Sequence, residues 1–168
     1  MIGHRWAWRS GPEGLLVDDV VVSFQRYRCP LDKIVREVPS SHGALPVAPE
    51  GDRFLLALPS GEAFWAGVIV PKDWGCDALS LAAVQPDGKV LMVDRSVRSG
   101  IWVFPGIKRT DGQFDVFWRE SVSELQLSGA GGAKSIIVCD PDDFVARTGQ
   151  AAPEPFNPRV AFGGWRLP

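Results

Sequence analysis

Residues 61–118 decide what this chain can fold into. Apolar runs of strand length are cut there by Pro-Lys-Asp-Trp-Gly, Gln-Pro-Asp-Gly, Arg-Ser-Gly and Thr-Asp-Gly. Glycine takes positive φ freely, proline pre-sets its own φ, and aspartate bonds its own backbone two residues on. Each cluster therefore ends a strand and turns the chain. Short strands between such turns are the pattern of consecutive antiparallel strands. In Gln85-Pro86-Asp87-Gly88, proline holds the second place and glycine the fourth, which is type I turn chemistry. Residues 78–84 and 89–94 are thus expected to form a hairpin. Residues 62–70 are apolar at both parities apart from Glu62, which suits a strand buried on both faces.

The flanks continue the pattern. Val20, Val22 and Phe24 alternate with Ser23 and Gln25, as in a half-buried strand. Pro30 suits a first helical position. Leu31, Ile34, Val35 and Val38 follow at i, i+3, i+4 and i+7, which predicts one short amphipathic helix over residues 30–38, with a strand as the alternative that its β-branched residues leave open. Residues 40–51, with Pro46 and Pro49, read as a loop carrying His42. Further strands are expected over residues 53–58, 101–104 and 113–118, with a less regular one through Val122, Leu125 and Leu127. Residues 128–133 (SGAGGA) read as a flexible glycine loop, and 135–139 as a short buried strand. Asp140 can cap a helix whose first residue is Pro141 and whose first turn holds Asp142 and Asp143. Gly149 ends it. Residues 150–168 carry four prolines beside Phe156, Phe162 and Trp165. That mixture fits an extended arm held by aromatic side chains.

The expected architecture is all-β and mainly antiparallel. It is a single-domain β-sandwich of jelly-roll type, or a closed barrel, with one or two short helices. Residues 1–14 form an N-terminal arm, 15–149 the β domain, and 150–168 a C-terminal arm. No βαβ alternation appears, which argues against a parallel sheet. A length of 168 residues, 45% of them apolar, suits one domain with a substantial core.

Charge removes two classes of partner. A net charge of −2 offers no field for a nucleic-acid backbone. The longest apolar run, residues 63–70, is too short to span a bilayer. The N-terminus has basic residues with no apolar stretch behind them, so it does not read as a secretory signal, and a cytoplasmic setting is expected. Cys29, Cys76 and Cys139 are an odd, widely spaced set, which fits reduced buried thiols better than a disulfide framework or a zinc site.

Catalytic patterns are weak. No GxSxG occurs, and Cys76 in its Gly-Cys-Asp turn has only His4 and His42 as candidate bases. SGAGGAKS lacks the phosphate-loop order and precedes a strand. Helix capping accounts for the Asp140 cluster better than a calcium loop, whose later ligands are missing. No catalytic residue, metal or cofactor is assigned.

Aromatic binding is the best functional signal. Seven tryptophans are many for this length, and Trp74 sits in a turn beside Lys72, Asp73 and Asp77. Such a ring can stack on a sugar or planar ligand, or anchor a partner. His42, in its long loop, joins this candidate ligand set. Trp6 and Trp8, two apart and so on one face of an extended segment, are candidate interface residues with Phe156, Phe162 and Trp165. The first reading is a non-catalytic β-sandwich that binds or assembles through aromatic residues, as a homo-oligomer or with another protein. A small or carbohydrate ligand is the alternative partner. The second reading is a small metal-assisted or carboxylate-based enzyme with a cleft lined by His42, Glu62 and Asp94.

Overall fold

The computed structural model describes residues 6–8, 15–17, 20–69, 79–94, 96–98, 101–129 and 132–161. Among these the chain forms fifteen strands and one helix. In order they are β1 (Trp6–Trp8), β2 (Leu15–Val17), β3 (Val20–Arg28), β4 (Ile34–Val35), β5 (Val47–Glu50), β6 (Arg53–Ala57), β7 (Glu62–Ile69) and β8 (Leu79–Val84). Then follow β9 (Val90–Met92), β10 (Ser96–Arg98), β11 (Ile101–Phe104), β12 (Ile107–Lys108), β13 (Phe114–Asp115), β14 (Glu124–Gly129), β15 (Gly132–Cys139) and α1 (Pro141–Thr148). No helix among the described residues is long and apolar enough to cross a membrane.

Two six-stranded sheets carry the fold. One runs β1-β2-β3-β7-β11-β10, the other β5-β6-β15-β14-β8-β9. A three-stranded sheet, β12-β13-β4, forms a separate ladder. Pairing is antiparallel except between β15 and β6, which run parallel with Val138 opposite Leu56. Neither large sheet closes on itself, so the barrel alternative is corrected.

Alternation of side chains explains the layers. On β3 and β7, Val22, Phe24, Phe64, Ala66 and Val68 enter one large apolar cluster. That cluster also takes Phe54, Leu56, Leu81 and Leu125 from the second sheet. The opposite parity, Tyr27, Ala63, Trp65 and Val103, meets Val35 and Val116 in a second cluster beside the small sheet. Leu55 and Ala57 of β6 face the other way again and bury Phe144 of α1. The continuous apolar runs of β6 and β7 thus follow from cover on both faces, as the sequence pattern of β7 predicts.

Several expectations need correction. Residues 30–38 are not a helix. Ile34 and Val35 form β4 and pair with Asp115 and Phe114. Leu31, meant for the buried face, is 99% exposed, and Lys33 has φ 61°. The Asp32 carboxylate accepts from the Ile34 N–H at 3.1 Å, a turn that competes with helix. The β-branched pair Ile34–Val35 then suits an extended strand. The loop over 40–51 contains β5. Its Pro49 sits at a sheet edge, where a missing N–H costs no ladder bond. The glycine loop over 128–133 is largely hairpin, with Ser128 opposite Ala133 and Gly129 opposite Gly132. β15 is longer than 135–139, and Ile136 alone in that span is fully buried. Among the described residues α1 is the one helix, within the one or two expected.

The 85–88 turn is present: Gly88 donates to the Gln85 carbonyl at 2.8 Å, and β8 and β9 flank it. α1 starts and stops as its sequence predicts. The Asp140 carboxylate accepts from the Asp143 N–H at 2.9 Å, and Gly149 takes φ 69° at the C-cap.

Candidate functional site

The large cluster ends in charge. On β3 the row Val22, Phe24 continues at the same parity to Arg26, and on β7 the row Val68, Ala66, Phe64 continues to Glu62. Arg26 donates from Nε to Glu62 Oε1 at 2.6 Å and from Nη2 to Oε2 at 2.8 Å. The two side chains are 5% and 7% exposed. A bidentate geometry of this kind is what a desolvated guanidinium and carboxylate need.

A loop and the C-terminal arm close over this pair. The Arg26 N–H donates to the Gly43 carbonyl at 2.9 Å, the His42 N–H to the Arg26 carbonyl at 2.8 Å, and the Leu45 N–H to the Phe24 carbonyl at 2.8 Å. Residues 42–45 thereby extend the sheet beyond the end of β2. Gly43 has φ 121°, which a side chain would strain. A buried polar chain fixes the loop from the other face of β3. Ser41 Oγ donates to Gln25 Oε1, Gln25 Nε2 donates to Ser23 Oγ at 2.6 Å, and the Gly43 N–H reaches Ser41 Oγ at 3.0 Å.

Over the described span 150–161 the arm has neither helix nor strand. Arg26 Nη1 donates to the Glu154 carbonyl at 2.7 Å. The Phe156 ring lies 5.0 Å from the Arg28 guanidinium carbon and 5.7 Å from that of Arg26. The His42 ring sits 4.6 Å from it, tilted by 37°, with Nδ1 3.3 Å from the Asn157 carbonyl oxygen. Between loop, arm and α1 lies a cavity of about 450 Å³, whose lining includes Arg26, His42, Pro46, Val47, Phe144 and Pro153.

Of the predicted site residues, His42 and Glu62 both adjoin Arg26. Asp94 does not join them. It follows β9, at the opposite edge of the second sheet from β5, which borders the cavity. Phe156 is engaged on its own chain. Trp6 and Trp8 lie in β1, paired with Val17 and Leu15 at an edge of the first sheet. Lys72, Asp73, Trp74, Cys76, Asp77, Phe162, Trp165 and His4 lie outside the described residues. Among the described residues no three or more His, Cys, Asp or Glu side chains gather to hold a metal.

Other titratable groups lie away from this site. Burial pushes the Cys29 thiol up and the Cys139 thiol to about 11, and it raises the Tyr27 phenol strongly. At the surface of α1, hydrogen bonds from Arg147 and then Arg53 hold Glu50 at about 2.

Arg26 is not among the residues that the sequence pattern singles out for this site. Its signal was present: an arginine prolonging an apolar alternation, with a glutamate opening an otherwise apolar strand, marks an ion pair at the end of a core. In comparisons with known proteins, no family model, curated protein or solved structure matches this chain.

Proposed function

We propose that this protein is a non-catalytic binding module of β-sandwich, jelly-roll type. In this reading the cavity beside Arg26 takes a small, mainly apolar ligand that carries a neutral hydrogen-bond acceptor. The cavity itself supports this most directly. Its volume of about 450 Å³ falls in the range of small-molecule sites, roughly 300–1,000 Å³. Ala44, Pro46, Val47 and Phe144 offer it apolar walls.

The ligand class follows from charge. Three of the five guanidinium N–H groups of Arg26 are spent on Glu62 and Glu154. The remaining two can donate, but Glu62 already balances the positive charge. A carboxylate entering here would lose its hydration with no net cation to receive it. A neutral carbonyl or amide suits the place better, and the Glu154 carbonyl is an internal example. We assign the protein to the cytoplasm, where thiols such as Cys29 and Cys139 stay reduced.

The test is ¹⁵N-resolved NMR with paired probes, N-alkyl benzamides against the matching benzoates. Shifts at residues 43–47 and 150–154 with the amides, abolished by a cavity-filling Ala152→Trp, are expected. Equal shifts from the benzoates would overturn the ligand class. Silence at the cavity with both would overturn the site.

A further inference from the structure

The two edges of the second sheet differ. In β5, Ala48 and Glu50 lie at the positions that face β6, because the Ala57 N–H reaches the Pro46 carbonyl two residues earlier. Val47 and Pro49 therefore turn their backbone outward, and Pro49 brings no N–H. That edge is blunted against pairing.

β9, three residues long, has no proline. The Gln85 N–H donates to the Lys89 carbonyl and the Val93 N–H to the Leu81 carbonyl. By alternation Leu91 also faces β8, while the N–H and C=O of Val90 and Met92 face away. The two residues are 53% and 68% exposed. They stand on one face, opposite Val84 and Ala82.

We propose that β9 pairs antiparallel with β9 of a second copy across a two-fold axis through Leu91. Register selects that axis. Groups facing outward must meet groups facing outward, so only every second shift is allowed. With Leu91 on the axis, Val90 lies opposite Met92 of the other copy, and each such pair exchanges two N–H···O bonds. A shift one way sets Asp94 against Val90. A shift the other way sets Met92 against Gly88. Only the first brings both exposed apolar side chains together, and it joins two sheets into one continuous sheet. A second copy is favoured over an unrelated extended peptide because the strand is its own complement.

Sedimentation velocity from micromolar to millimolar protein is the test. The wild type is expected to pass from monomer to dimer. Met92→Pro removes an outward N–H and leaves the β8 ladder intact, as Pro49 does at the other edge. It is expected to weaken the dimer about tenfold or more, the equivalent of one or two net hydrogen bonds. Leu91→Cys sets two thiols across the axis in a non-hydrogen-bonded pair, close enough for a disulfide. It is expected to cross-link on mild oxidation where the wild type does not. A monomer's mass at every concentration, a dimer untouched by Met92→Pro, or a dimer that Leu91→Cys fails to cross-link would each overturn the proposal.

Discussion

At the scale of single residues, Arg26 and Glu62 matter more as a pair than either does alone. Both are almost fully buried, so removing one leaves the other as an uncompensated charge. Glu62→Leu is expected to cost about 3–5 kcal/mol in urea unfolding. Combining it with Arg26→Met should recover most of that loss, because no buried charge then remains. A double variant as unstable as the two single losses added would contradict this account. Tyr27 makes the converse case. Its hydroxyl is buried with no hydrogen-bond partner, a desolvation cost without a return. Tyr27→Phe should therefore raise stability by about 1 kcal/mol. A loss would mean the hydroxyl has a partner in solution. Neither feature was plain from residue type. The parity of Arg26 could be read from VVVSFQRYR, but its partner required knowing that β7 runs beside β3.

At the scale of elements, local chemistry was legible wherever it decided the outcome. Pro86 and Gly88 set the hairpin, and Asp140, Pro141 and Gly149 bounded α1. It misled where tertiary pairing overrode it. Residues 31–38 fit a helical stripe, yet pairing with β13 and a place for Val35 in the second cluster outweighed that pattern. Gly106 shows a similar limit, since its role is close packing and not a turn. An added Cβ would press on the Asp115 carbonyl oxygen well inside contact distance. Gly106→Ala is expected to cost about 1–3 kcal/mol or more by overpacking, read by thermal unfolding. α1 also bears a pH dependence. Glu50 is held near 2 instead of 4.5 by its arginine partners, so its ionised form is favoured in the folded state. Its contribution is complete above about pH 4.5 and fades as the pH falls toward 2. The site is exposed, so the effect is small and screened by salt. The fall in urea midpoint over that window should be shallower in Glu50→Gln than in the wild type.

At the scale of the whole molecule, two sheets share one core whose end at Arg26 and Glu62 is covered by a segment without regular structure. The prolines of residues 150–161 exclude a helix, and the segment makes no ladder, so a few side-chain contacts must hold it. Phe156 is the main one, placed against two guanidinium groups and the His42 ring. Cation–π contacts of this kind contribute about 0.5–1 kcal/mol each where solvent reaches them. Their loss in Phe156→Ala should total roughly 1–2 kcal/mol, which raises the fraction of detached arm about tenfold. Where opening and closing are fast relative to cleavage, proteolysis follows that fraction. Cutting within residues 150–161 should then accelerate about tenfold while the β domain stays intact. The midpoint of global unfolding should move little, because the two large sheets do not depend on Phe156. Cutting at an unchanged rate would mean that the Glu154 carbonyl on Arg26 holds the arm by itself. Cutting throughout the chain would mean that the arm is part of the cooperative core and not a cover laid over its end.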